Sequence, residues 1–249
     1  MIDDLTALRL QLDWGADEAI GEVVIDRLSS SSSRAAPAPA PVQPAPFRSP
    51  SSPTRPPMPR AETLDQLAAE LAAFDGCKLR LTATTTVRPD GPAAARIVLI
   101  GDAPDGEDDR SGRAFSGAGG ALLDRVMASA GLGRADMLLT TLVPWRPPGG
   151  RPPTESEIQA CLPFVHRLLA IVRPGRLVLL GALTLKALSG GMETMRRKRA
   201  SWIDVNVPLV DTTMPTLALP PLDQWLSSPI AKQRLWSDLI ALQKATTTS

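Results

Sequence analysis

Short apolar runs alternate along this chain with longer stretches in which apolar positions recur every three or four residues. Residues 97–100, 137–143, 176–181 and 205–211 are compact and rich in aliphatic side chains, and they read as four buried strands. Between them the spacing is helical. Leu64, Leu67, Leu71 and Phe74 mark one face of a helix over 61–74, and further helices follow at 119–130, 155–172, 182–188 and 230–244. Thr154, with Glu157 three residues on, is the signature of a capping box that opens the helix at 155–172. Strands alternating with helices predict an α/β fold, a three-layer αβα sandwich around a four-stranded parallel sheet.

The pattern lapses over residues 29–60. Ten of those positions are proline and eight are serine, so the segment has almost nothing to bury and reads as a disordered tether. Ahead of it, Leu5, Leu8 and Leu12 at helical spacing predict a short amphipathic arm over 1–28. Its alternatives are packing on its own domain or docking on another protein. The expected organisation is therefore an arm (1–28), a linker (29–60) and one domain (61–249).

Charge and cysteine content narrow the classes. The net charge of +1 gives no global field that advertises a polyanion, so a DNA-binding face would be local. Two cysteines and no recognisable signal peptide predict a cytoplasmic protein without a disulfide framework. No apolar run reaches the ~18 residues of a membrane helix.

Chemistry concentrates in residues 96–120, RIVLIGDAPDGEDDRSGRAFSGAGG, where a strand breaks at Gly101 into an acidic loop and a helix follows. Ligands in open α/β sheets bind beyond the carboxyl ends of the strands, which makes this loop the expected site. There is no GxxxxGK[ST], and Leu122 stands where a GxGxxG would need its last glycine. A nucleotide-phosphate cradle is thereby disfavoured. Five acidic residues between 102 and 109 are either catalytic carboxylates or a solvated loop.

Three ordered blocks, GDAPDGEDDRSGRAFSGAGGALLD, LLTTLVPWRPPGGRPPTESEIQACLPF and RPGRLVLLGALTLKAL, resemble the family 4 uracil-DNA glycosylases over roughly residues 71–242. The resemblance implies a uracil-DNA glycosylase-like domain, a hydrolase of DNA damage and base excision repair, with DNA as its partner and a monomeric state. It implies that Phe115 stacks on the extruded base and that Gly101, Ala103 and Thr141 contact it, with Asp102 or Asp105 orienting water. Arg146, Arg151 and the run Arg196, Arg197, Lys198 and Arg199 are the expected phosphate contacts. Leu222 and Trp225 are candidate wedges for the gap left in the duplex.

The chain departs from the family pattern at telling places. Thr141 replaces the asparagine that reads the base edge, and one hydroxyl cannot match the donors and acceptor of an amide. Asp102 replaces a glutamate, and Asp105 a glycine. No histidine occupies residues 220–222, where the family carries one; the sole histidine, His166, lies within a helix, where it reads as a surface residue. Of four cysteines that hold an iron–sulfur cluster in many relatives, Cys77 and Cys161 remain, while Phe74 and Trp145 take the other places, so no cluster is expected. Three readings stay open: a glycosylase that works without these groups, one whose pocket is reshaped around Thr141 and Asp105 for another base, and a glycosylase fold that binds DNA or a repair partner without cutting.

Overall fold

The computed structural model describes residues 58–191, 202–210, 212–225 and 228–247. The arm, most of the linker and the Arg196–Arg199 run lie outside the described residues. Along the described residues run α1 (Leu64–Ala73), β1 (Ile97–Gly101), α2 (Gly106–Ser111), α3 (Ala118–Ser129), β2 (Met137–Thr141), α4 (Glu155–Val172), β3 (Arg176–Leu180), α5 (Ala182–Leu188), β4 (Trp202–Asn206), β5 (Thr213–Leu219) and α6 (Pro229–Thr247).

One sheet carries the strands in the order β2-β1-β3-β5-β4. The first four run parallel, and β4 closes the edge antiparallel to β5. The expected four-stranded parallel sheet is present, with an added strand. Its fourth parallel member is Thr213–Leu219, whereas the sequence pattern had placed that strand at 205–211. The reason is periodicity: Pro215 and Thr216 interrupt the apolar run of β5, and β4 alternates buried and exposed residues as an edge strand does.

Alternation along the strands sorts the core into two faces. Val98, Ile100, Leu138, Leu177, Leu179 and Ala218 join Leu67, Leu71, Ile158, Leu168 and Leu185, from α1, α4 and α5. Ile97, Leu99, Met137, Leu139, Val178, Leu180, Leu217 and Leu219 join Leu123 and Met127 of α3 and Leu235 and Leu242 of α6. The pleat that points successive side chains to opposite faces thus yields the three layers.

Thr154 caps α4 as expected, its hydroxyl accepting from the Glu157 amide while the Glu157 carboxylate accepts from the Thr154 amide. The acidic loop after β1 contains a helix that the pattern did not indicate, because α2 is only six residues long and wholly polar or glycine. Asp105 is its N-cap, accepting from the amides of Glu107 and Asp108 at 2.8 and 2.9 Å. Carboxylates crowd its first turn, where the helix dipole favours them.

Candidate active site

The strand order reverses around β1, which has β2 on one side and β3 on the other. Loops leaving the carboxyl ends of strands diverge at such a switch point and leave a crevice. Here that crevice is a cavity of about 1010 Å³. Its walls come from the segments at the ends of all four parallel strands: Gly101–Gly106 at β1, Arg146, Pro147 and Gly150–Pro153 after β2, Leu183 on α5 after β3 and Pro221–Asp223 after β5.

Most of the expected residues meet there. Gly101, Asp102, Ala103, Asp105, Phe115, Arg146 and Arg151 all line the cavity. Thr141 does not. Its side chain is buried and its hydroxyl donates to the Val143 carbonyl at 2.8 Å, so its only donor proton is committed inside the fold. Trp225 is likewise no wedge: it is fully buried, and its indole N–H donates to the Pro220 carbonyl at 2.7 Å. Leu222 keeps a place on the cavity wall, packed near Gly119. His166 lies half-buried on α4 and is not part of the wall.

The acidic residues divide by task. Asp108 is buried; one oxygen accepts from the amide and hydroxyl of Ser116 and the other from the Asp105 amide. Asp109, also buried, accepts from the amides of Thr84 and Thr85 and from the Thr84 hydroxyl. These two carboxylates replace water for backbone groups, and the reading of the loop as a solvated acidic face does not hold for them. Asp105 has one oxygen on the cap of α2 and the other toward Gly117.

Asp102 differs. Its Oδ1 accepts from the amide and the hydroxyl of Thr184 at 2.8 and 3.0 Å, at the start of α5. Burial pushes its pKa above the ordinary 3.8, the bonds from Thr184 and the Leu183 amide oppose that push, and the negative charge of Asp223 reinforces it. A carboxylate with a raised pKa is a stronger base than one in water. The close packing that places it requires Gly181, at φ +122°, because a Cβ there would collide with the Asp102 carboxyl. Asp223 sits on the 3-10 turn after β5 and lines the same cavity. Neither Asp223 nor Thr184 carries a motif signal in the sequence, although Asp223 directly follows residues 220–222, where the family pattern has a histidine.

Phe115 is 9% exposed, its ring over Gly101, where a Cβ would lie 2.7 Å from its Cζ. A small residue at the end of β1 therefore lets an aromatic plane form part of the cavity wall. Of the two cationic side chains on the wall, Arg151 is held by Glu157 through bonds of 2.9 and 2.7 Å, which draw the Glu157 pKa down to about 2. Arg146 has no ion pair among the described residues and stands beside Gly106.

Cys77 and Cys161 are free thiols buried as neighbours in one apolar cluster. This contact and burial push the Cys161 thiol well up. Phe74 and Trp145 stack with centroids 6.4 Å apart in the same apolar cluster, and Phe164 lies 5.0 Å from Phe74. Two thiols among packed rings do not fit a cluster that needs four thiolates. No group of three or more His, Cys, Asp or Glu side chains among the described residues is placed to hold a metal ion.

Residues 88–240 match the model of the Uracil DNA glycosylase superfamily. The chain belongs to that superfamily. Among its relatives, the Type-4 uracil-DNA glycosylase of Pyrobaculum aerophilum is 35% identical over 142 residues, which is 57% of this chain and 71% of the relative. That of Archaeoglobus fulgidus is 38% identical over 120 residues, 48% of this chain and 60% of the relative. That of Saccharolobus solfataricus is 34% identical over 151 residues, 59% of this chain and 70% of the relative. The superfamily match takes in every wall of the cavity, from Gly101 to Asp223. Cys77 and the helix α1 precede it. No helix of the described residues is long and apolar enough to cross a membrane.

Proposed function

We propose that this chain hydrolyses the N-glycosidic bond of uracil in DNA, as the names of its relatives describe for them. The observation that carries the reading is the half-buried Asp102 carboxylate, held by Thr184 in the wall that also contains the Phe115 ring. A base extruded from the duplex would stack on Phe115, with the backbone of Gly101–Asp105 along its edge. The C1′–N1 bond breaks with its electron pair passing to uracil N1. Water adds to C1′ and gives one proton to Asp102, while the uracil anion takes up a proton from solvent, to which Asp102 then returns its own. The negative wall formed by Asp102 and Asp223 stabilises the positive charge that develops on the sugar. Asp105, with one oxygen already capping α2, is left a supporting part.

Arg146 is the cation on the wall best able to meet a phosphate, because Arg151 is neutralised by Glu157. The Arg196–Arg199 run is assigned a further phosphate contact. The same reading takes the protein as a cytoplasmic monomer of an arm (1–28), a linker (29–60) and a glycosylase domain (61–249), the arm docking on a protein partner.

A second reading is favoured by Thr141. With its hydroxyl turned to Val143 and no histidine after β5, the site lacks both the base-edge reader and the charge-stabilising side chain of the family pattern. On that view the fold recognises DNA without cutting. The deciding experiment incubates the purified protein with uracil-containing single- and double-stranded DNA and scores abasic sites after alkali, beside Phe115→Ala. Cleavage that the variant loses is the expected result; DNA binding without cleavage at stoichiometric protein supports the second reading.

A further inference from the structure

Phe115 adopts φ +55°, a left-handed conformation in which non-glycine residues are strained. Such a residue persists only when its surroundings fix it, and here they do so from several sides. The Ser116 amide beyond it donates to Asp108 at 2.7 Å. Gly120 on α3 leaves the space its carbonyl fills, since a Cβ there would overlap the Phe115 oxygen. That carbonyl also accepts from Arg134 Nη2 at 2.6 Å.

Arg134 is itself anchored. Its Nε donates to Asp124 on α3 at 2.8 Å and its Nη1 to Asp90 at 2.7 Å. Asp90 in turn exchanges two backbone hydrogen bonds of 2.8 Å with Leu139 in the middle of β2. Burial works against the Arg134 charge, yet the bonds and ion pairs with Asp124 and Asp90 outweigh it and raise its pKa. The guanidinium is half-buried and is not part of the cavity wall. It joins β2, α3 and the strained residue in one rigid fork, a geometry that lysine cannot reproduce.

We propose that Arg134 is a positioning residue: by holding the Phe115 carbonyl against β2 and α3 it keeps Phe115 in its left-handed conformation, so that the ring presents a fixed platform to the base. The proposal rests on the reading of Phe115 as the stacking residue. Loss of one charge-assisted bond to a half-buried carbonyl lets the ring leave Gly101, and the expected weakening of base affinity is about tenfold.

The test has two independent readouts on the full chain. Labelling phenylalanine at the carbonyl carbon gives four NMR signals, with the Phe115 signal assigned by Phe115→Leu. Free uracil binding is measured by equilibrium dialysis, beside the affinity for DNA that carries an abasic site. In Arg134→Ala the Phe115 signal should move while those of Phe74 and Phe164 stay. Uracil affinity should fall about tenfold with abasic-DNA affinity unchanged, and Arg134→Lys should restore only part of the loss. Asp124→Asn, which removes one anchor, should move the same signal less, and it replaces Arg134→Ala should that variant fail to fold. An unmoved Phe115 signal in a folded variant overturns the proposal, as does unchanged uracil affinity once the signal has moved. A wild type that does not bind uracil overturns the base-site reading instead, and the carbonyl signal still decides whether Arg134 holds Phe115.

Discussion

Replacing Gly181 by alanine tests how the Asp102 carboxylate is held. Gly181 links β3 to α5 at φ +122°, a region that costs an alanine about 1–3 kcal/mol. The new methyl group would also collide with the Asp102 carboxyl and drive it from Thr184. Two hydrogen bonds of 2.8 and 3.0 Å would go with it. The freed carboxylate gains water in the cavity, so the net loss is roughly 1 kcal/mol for each bond. The total, about 3–5 kcal/mol, corresponds to a drop in Tm on the order of 10 °C for a domain of this size. Differential scanning calorimetry reads that drop, and a displaced carboxylate lowers uracil excision by on the order of 10²-fold. A Gly181→Ala protein with a Tm within about 2 °C of wild type, measured against that scale, would refute the argument that Gly181 exists to admit Asp102.

Asp102→Asn should separate stability from function. Because burial raises the folded pKa above 3.8, the folded state holds the Asp102 proton more tightly than the unfolded chain does. The stability this contributes is complete below 3.8 and is lost as pH rises through the folded value. The variant keeps an acceptor for Thr184 and cannot ionise, so urea midpoints should show it gaining on wild type as pH climbs through that window; a constant difference would oppose this. Glu157 has the opposite sign. Its pKa falls from 4.5 to about 2 through the bonds from Arg151, so its contribution is present above 4.5 and disappears as pH falls through about 2. Glu157→Gln should thus lose stability at neutral pH and match wild type near the bottom of an acid titration. Asp109→Ala should destabilise by about 2–4 kcal/mol, because it removes a buried carboxylate that accepts three hydrogen bonds from Thr84 and Thr85, each contributing roughly 1 kcal/mol; a change under ~0.5 kcal/mol, the range of neutral surface substitutions, would place Asp109 among them.

Local pattern carried the layered fold. Continuous apolar runs marked the strands buried on both faces, and the Thr154 capping box placed α4 at its observed start. Edge strand β4 and the strand β5 beside it were harder to read, since half-burial and an internal Pro215 blur the strand period. The position of the cavity followed from topology, and Gly101, Asp102, Ala103 and Phe115 could be named because the motif joins them within 15 residues. What sequence did not display were partnerships made across the fold. Thr184 meets Asp102 from 82 residues away and Arg134 meets Asp90 from 44. Acidic residues on one short loop look alike in sequence, yet Asp108 and Asp109 are buried against Ser116, Thr84 and Thr85, while Asp102 is half-buried in the cavity wall and held by Thr184.

Single-turnover release of uracil from a uracil-containing oligonucleotide, compared between wild type and Asp102→Asn, tests most directly whether this cavity is a working glycosylase site. The account predicts measurable release by wild type and a loss on the order of 10²–10⁴-fold in the variant, as expected when a positioned base is removed. Equal rates in the two proteins would contradict the role of Asp102, and no release from either, with DNA still bound, would contradict the proposed activity itself.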